Sequence, residues 1–135
     1  MNMPYFSLEG RVAIVTGARR GLGEAIALTL AEAGADVVIC DIVVEEGLLE
    51  AVAKKIRRFG RRSLALQTDV TQKTDVDNMV QKVMEEFGAI DILVSNAGII
   101  VWTPLLEHSE EEWDAVLDTN LKGYYLCSQA VGRRM

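Results

Sequence analysis

The sequence is poor in cysteine, with only Cys40 and Cys127 among its 135 residues. The two lie far apart and neither belongs to a Cys-x-x-Cys pair, so nothing supports a disulfide framework or a zinc site. Both stand in apolar stretches, where a free cysteine usually behaves as a small buried hydrophobe in a reducing compartment. We therefore predict no metal site and no disulfide.

The sequence also lacks an excess of positive charge and a long apolar run. Its 14 lysines and arginines are outnumbered by 20 aspartates and glutamates, which gives a formal net charge of −6. A chain of this charge repels polyphosphate at long range, which argues against nucleic acid as a partner. No apolar segment approaches the ~20 residues that span a bilayer, and the first residues lack the pattern of a secretory signal. We expect a cytoplasmic protein with no nucleic-acid or membrane partner.

What the sequence does contain is four short, continuously apolar runs, at residues 11–16, 36–40, 63–67 and 91–95. Runs of this kind are typical of strands buried on both faces of a parallel sheet. Three amphipathic segments separate the runs. Each of these segments ends at a glycine, namely Gly34, Gly60 or Gly88. The predicted apolar helix faces are Leu22, Ile26, Leu30 and Ala33, then Leu48, Val52, Ile56 and Phe59, then Val76, Met79, Val80, Val83, Met84 and Phe87.

This alternation predicts one dinucleotide-binding α/β domain over residues 1–135, built as a Rossmann-type doubly wound parallel sheet of strand order 3-2-1-4. A fourth helix is expected to begin after Ser109, a suitable N-cap, and to run toward Val131. No further strand follows it, so we expect the fold to be truncated after the fourth strand and its following helix. A fragment of a longer parent is our preferred explanation.

A glycine-rich turn follows the first predicted strand, in the segment Thr16-Gly17-Ala18-Arg19-Arg20-Gly21-Leu22-Gly23. Gly17 permits a tight turn, Gly21 lets the backbone approach a pyrophosphate, and Gly23 lets the helix pack close to the sheet. The free N–H groups at the helix start then face the phosphates. Three glycines serving only as turn residues are the alternative, but their place between a strand and a helix favours the phosphate site.

Asp41 comes directly after the second predicted strand, where a carboxylate can accept both ribose hydroxyls of an adenosine. It would also repel a 2′-phosphate, because unit charges ~4 Å apart at an effective dielectric of about 20 interact by about 4 kcal/mol. Arg20 argues the other way, since a guanidinium can pair with a phosphate. We weigh Asp41 more heavily and expect NAD, with NADP possible. A solvated loop carboxylate or a helix cap is the alternative role for Asp41.

Polar or small residues also follow the third and fourth strands, as Thr68-Asp69-Val70 and Asn96-Ala97-Gly98. All four strands thus end in residues suited to a ligand at the edge where such sheets bind them. In the fourth helix, Asn120 falls on the predicted apolar face beside Trp113 and Leu117. An unpartnered buried amide costs about 1–3 kcal/mol, so Asn120 either bonds local backbone at a helix irregularity or serves a site.

Taken in this order, Thr16-Gly17-x-x-x-Gly21-x-Gly23, Asp69, Asn96-Ala97-Gly98 and Asn120 resemble the motifs of the short-chain dehydrogenase/reductase family, over nearly the whole chain. The resemblance implies that the glycine turn holds the cofactor pyrophosphate, Asp41 the ribose, and Asp69 with the Val70 backbone the adenine. It makes Asn120 the catalytic asparagine, which helps hold a water in a proton relay. The cofactor contacts expected are Gly17, Arg19, Arg20, Gly21, Leu22, Gly23, Asp41, Ile42, Asp69, Val70, Asn96, Ala97 and Gly98.

The same resemblance implies hydride transfer between a nicotinamide and a small-molecule alcohol or ketone, in a homo-oligomer. One departure from the family pattern matters. The family's proton donor is the tyrosine of a Tyr-x-x-x-Lys motif with a serine upstream, and none of Tyr5, Tyr124 and Tyr125 stands in such a motif. Of the catalytic set only Asn120 is present, so we expect no appreciable turnover from these 135 residues alone.

Two other functions stay open at this point. The first is a non-catalytic NAD-binding module, which a downstream Tyr-x-x-x-Lys would exclude. The second is a methyltransferase, which also places an acid after the second strand. A methyltransferase has no pyrophosphate to hold, so the glycine-rich turn argues against it.

Overall fold

The computed structural model describes residues 6–135, so Tyr5 lies outside the described residues. Its four strands are β1 (Val12–Thr16), β2 (Asp36–Asp41), β3 (Ser63–Gln67) and β4 (Ile92–Val94). They form one parallel sheet in the order β3-β2-β1-β4, which confirms the predicted topology. Because Val15 of β1 is level with Ile39 of β2 and Val94 of β4, these strands end together at one edge.

Helices cover both faces of the sheet, as the doubly wound fold requires. They are α1 (Gly21–Glu32), α2 (Leu48–Arg58), α3 (Lys73–Phe87), α4 (Glu110–Leu117) and α5 (Gly123–Gly132), with a short 3-10 turn at Leu105–Glu107. Side chains of α1 and α2 pack on one face of the sheet, and those of α3 and α5 pack on the other. Among residues 6–135, no helix has both the length and the apolar character of a membrane span.

The glycines expected to end the first three helices do so with positive φ angles. Gly34 has φ +110°, Gly60 +78° and Gly88 +76°. This left-handed conformation strains any residue with a Cβ, and it turns the chain out of the helix toward the next strand. The stripe predicted on α3 is also correct, since Val76 and Val83 are fully buried.

The predicted buried faces of α1 and α2 are partly wrong. On α1 the buried row is Gly23, Ala27 and Ala31, whereas Leu22 is 76% exposed. Small side chains in this row let the helix approach the sheet closely, and hydrophobicity alone does not reveal that requirement. On α2 the structure buries Leu49, Val52, Ala53 and Ile56, and it leaves Leu48 and Phe59 substantially exposed at the two ends of the helix.

The fourth helical segment begins as predicted but does not continue as one regular helix. Ser109 caps α4, because its Oγ accepts from the Glu112 backbone N–H at 3.1 Å while the Glu112 carboxylate accepts from the Ser109 N–H. A π-helical turn, Asp118–Lys122, then joins α4 to α5. Such a turn inserts a residue and rotates the following side chains, so a face extrapolated from a regular helix is misplaced beyond Leu117.

Candidate cofactor site

The principal cavity lies beyond the carboxyl ends of the strands and has a volume of about 560 Å³. Eleven of the thirteen predicted contact residues line it, together with Thr68, Ile99, Ile100 and Thr119. Those eleven are Gly17, Arg19, Arg20, Gly21, Asp41, Ile42, Asp69, Val70, Asn96, Ala97 and Gly98. Leu22 and Gly23 do not line it, because Leu22 points to solvent and Gly23 lies buried beneath the turn.

Two glycines of the glycine-rich turn adopt backbone conformations that favour glycine. Gly17 and Gly21 both have left-handed φ angles, +64° and +62°. A Cβ on Gly17 would lie 2.7 Å from the Ala97 Cα, whereas a Cβ on Gly21 would meet open space. Gly17 thus brings the ends of β1 and β4 together, and Gly21 presents bare backbone toward the cavity.

Gly23 sets the spacing between α1 and the turn. A Cβ there would lie 2.2 Å from the Gly17 carbonyl oxygen, 2.6 Å from the Asn96 Nδ2 and 2.9 Å from the Ala18 Cα. No side chain other than hydrogen fits without displacing backbone, which confirms the close packing predicted for this residue.

The first turn of α1 faces the cavity without a side-chain cap. Arg20 occupies the N-cap position in extended conformation, and no side chain accepts a hydrogen bond from the amides that follow it. Uncapped amides at a helix start carry partial positive charge, which the helix dipole reinforces. Together with the open space at Gly21, they form a suitable seat for an anionic group.

Thr16 and Asn96 tie the ends of β1 and β4 together. The Thr16 Oγ1 accepts from the backbone N–H groups of Asn96 and Ala97, each at 3.0 Å. The Asn96 Nδ2 donates to the Thr16 carbonyl at 3.1 Å and to the Gly17 carbonyl at 3.0 Å. These bonds hold the glycine turn and the Asn96-Ala97-Gly98 turn in one rigid unit.

Asp41 stands at the end of β2 within a charged cluster. Its Oδ1 accepts from the Val43 N–H at 3.1 Å and lies 3.5 Å from the Arg19 Nε. The Arg19 guanidinium also donates to the Glu46 carboxylate at 2.9 Å. Glu46 was not predicted as part of the site, although the acidic pair that follows β2 in the sequence could have drawn attention to it.

At the end of β3, Asp69 and Val70 form the side of the cavity nearest to α3. The Asp69 Oδ1 accepts from the Thr71 N–H at 2.9 Å and from the Thr71 hydroxyl at 2.7 Å, which fixes the carboxylate. Val70 is nearly buried, and its Cγ2 would lie 2.7 Å from a Cβ on Gly123 of α5. The glycine at the start of α5 thus lets that helix approach the turn after β3.

Asn120 lies in the π-helical turn and is exposed, contrary to the buried position predicted for it. Its Oδ1 accepts from the Ile99 N–H at 2.8 Å, and its Nδ2 donates to the Ile99 carbonyl at 2.9 Å. The amide thus lies at a helix irregularity, but the backbone it bonds is in the cavity-lining loop after β4, 21 residues away, and not the local backbone considered from the sequence. A role for Asn120 in a site stays a prediction. Trp113 of α4 and Leu121 of the π-helical turn, which were predicted on the same apolar face, are exposed as well.

The comparisons with known proteins agree with this geometry. A family model described as short chain dehydrogenase matches residues 11–135. The chain is 42% identical over 133 residues to the 2-dehydro-3-deoxy-D-gluconate 5-dehydrogenase of Escherichia coli, which covers 98% of this chain and 51% of that relative. The chain spans about half the length of the curated relatives it matches.

Solved structures give the same result. A short-chain type dehydrogenase/reductase from Mycobacterium marinum superposes with a TM-score of 0.91 at 38% identity, covering 97% of this chain and 52% of that one. A short chain dehydrogenase from Burkholderia cenocepacia in complex with NADP gives 0.90 at 41% identity, covering 95% and 52%. On the family match, the motifs and the fold, the chain belongs to the short-chain dehydrogenase family.

Proposed function

We propose that residues 1–135 are the dinucleotide-binding portion of an oxidoreductase that transfers hydride between a nicotinamide cofactor and an alcohol or ketone. The observation that carries the proposal is the single cavity in which eleven predicted contact residues meet beside uncapped amides and bare glycine backbone. When bound, the nicotinamide would supply or accept the hydride. The protein residues hold, orient and shield it.

The residues in the cavity fit the parts of a dinucleotide in sequence along the sheet edge. The turn from Gly17 to Gly23, with the start of α1, suits the pyrophosphate, because the first amides of α1 have no side-chain cap and a Cβ on Gly21 would meet open space. Asp41 suits the adenosine ribose and Asp69 the adenine, since both carboxylates line the cavity and are held by local bonds. Leu22 could take part only through its backbone N–H in the first turn of α1, because its side chain is exposed.

NAD is the cofactor we propose, with NADP as the less favoured form. Asp41 is a carboxylate at the site of the ribose, where it can accept hydroxyl hydrogen bonds and repel a 2′-phosphate. The Burkholderia relative was solved with NADP, so family membership alone does not select between them. The preference between NAD and NADP must therefore come from the charged residues of this chain's own cavity.

Asn120 fixes both backbone groups of Ile99 beside the cavity, and we propose that it supports the reacting end of the site. No tyrosine in the chain stands in a Tyr-x-x-x-Lys motif. We therefore propose that these residues bind the cofactor but do not turn over substrate by themselves. We also propose that the protein containing these residues is a homo-oligomer. Sedimentation velocity would test this by measuring its mass in solution.

Isothermal titration calorimetry tests the binding claim. The chain should bind NAD and not S-adenosylmethionine, and Asp41→Ala should weaken NAD binding at least about tenfold, because hydrogen bonds to a charged group contribute about 1.5–3 kcal/mol. Asp114→Ala, which removes an exposed aspartate from α4, is the matched control and should leave the Kd unchanged. Equal effects of the two substitutions, or binding of S-adenosylmethionine alone, would contradict the proposal. A Tyr-x-x-x-Lys motif in the continuing reading frame would select the enzyme over the module.

A further inference from the structure

The charged cluster at the end of β2 contains one arginine between two carboxylates. The Arg19 guanidinium donates to Glu46 at 2.9 Å, and its Nε lies 3.5 Å from the Asp41 Oδ1. The side chains of Arg19 and Asp41 are only 17% and 10% exposed, whereas that of Glu46 is 56% exposed. Arg19 thus makes its shorter contact with Glu46, the more exposed of the two carboxylates.

This arrangement bears on the charge that a 2′-phosphate would meet. Taken alone, the pair of Arg19 with Asp41 is neutral, so Asp41 cannot provide the full repulsion expected of an isolated carboxylate. A guanidinium is also a favoured partner of phosphate. If Arg19 were free to turn, the cavity would hold two phosphate-binding arginines, because Arg20 has no ion-pair partner among the residues that the structure describes.

We propose that Glu46 is a positioning residue for cofactor selection: it holds the Arg19 guanidinium at Asp41 and thereby disfavours a 2′-phosphorylated dinucleotide. Glu46 engages Arg19 through a charge-assisted hydrogen bond at 2.9 Å, which keeps the guanidinium from turning toward a phosphate in the cavity. Asp41 keeps acceptor capacity for ribose hydroxyls, since a carboxylate offers about four lone-pair sites. This inference rests on the proposed function, because it concerns the preference between two forms of the same ligand.

The test compares Glu46→Gln with Glu45→Gln, which removes the same charge from the adjacent residue. The Glu45 carboxylate accepts from the Val44 N–H and forms no ion pair with Arg19. Calorimetry with NAD and with NADP gives the ratio of their Kd values for each variant. We expect Glu46→Gln to improve the affinity for NADP relative to NAD by about three- to tenfold. The solvent exposure of Glu46 limits the effect to this range. Glu45→Gln should leave the ratio within twofold of the unsubstituted chain.

A third variant, Arg19→Met, tests whether Glu46 acts through the arginine. In that background Glu46→Gln should leave the ratio unchanged. A ratio that still moves would mean that Glu46 acts by its own charge, and loss of all NAD binding would mean that Arg19 is required for NAD itself; either result overturns the inference. Equal ratios for Glu46→Gln and Glu45→Gln would overturn it as well. In contrast, failure of the unsubstituted chain to bind either dinucleotide would refute the proposed function.

Discussion

Replacing Gly23 by alanine should destabilise the protein, even though alanine is the better helix former. Gly23 is the third residue of α1, and exchanging glycine for alanine inside a helix normally stabilises by up to about 1 kcal/mol. Against this gain stands the new methyl group, whose carbon would lie 2.2 Å from the Gly17 carbonyl oxygen. Three different groups lie within 3 Å of it, and two of them are backbone.

The expected change in the free energy of unfolding is the cost of overpacking minus the gain in helix propensity. Overpacking typically costs about 1–3 kcal/mol, and a contact with backbone that is tied down by Asn96 belongs at the upper end. After the helix gain of about 1 kcal/mol is subtracted, we expect a net loss of about 2 kcal/mol. The displaced turn should also weaken NAD binding, because the Gly17 carbonyl belongs to the glycine turn whose amides form the proposed pyrophosphate site.

Urea denaturation at neutral pH measures the change in the free energy of unfolding. Gly132→Ala in α5 is the matched control, because a Cβ at Gly132 meets nothing within 4 Å and its φ is not in the left-handed range. That control should be neutral or slightly stabilising. If Gly23→Ala matched Gly132→Ala in stability, the claim that close packing dictates glycine at position 23 would be refuted.

Three further predictions concern charge, burial and capping. The backbone N–H of Val12 holds the pKa of Asp91 below its usual range, so stability from this group is present above the unfolded value of about 3.9 and is lost as pH falls through the folded value. Asp91→Asn should therefore flatten the stability-versus-pH curve in acid, and an unchanged acid slope would contradict this. Burial raises the pKa of Cys40 to about 12 and that of Cys127 to about 11, so neither thiol should react with Ellman's reagent at pH 8 until the protein unfolds. Rapid reaction of either thiol in the folded protein would contradict the burial of these cysteines. Ser109→Ala should lower the free energy of unfolding by about 1 kcal/mol, and an unaltered urea midpoint would exclude a contribution from the cap.

The strands and their order could be predicted because burial on both faces leaves an unbroken apolar signature. The site residues could be predicted as a group because parallel strands end at a common edge, as Asp41 and Asn96 do. The buried row of α1 could not, because a close approach selects Gly23 and Ala27 over the more hydrophobic Leu22. The spacing of apolar side chains along a helix indicates which face is apolar. It does not indicate how closely the helix approaches the sheet, because the tertiary structure sets that distance.

Two features of the site depend on contacts between distant segments and have no local signal. Glu46 joins the cluster through Arg19, which lies 27 residues away in sequence. Asn120 meets Ile99 across 21 residues, and the π-helical turn that presents it interrupts the regular spacing on which a buried position was predicted. Only the fold identifies Arg19 as the partner of Glu46 and Ile99 as the partner of Asn120.

The central claim is that the cavity at the sheet edge holds a dinucleotide with its diphosphate on the glycine turn. A crystal structure determined with saturating NAD tests this most directly. We expect density for the diphosphate against the amides at Gly21 and for the adenosine ribose within hydrogen-bonding distance of Asp41. A cavity without ligand density, or NAD bound elsewhere on the protein, would contradict the account.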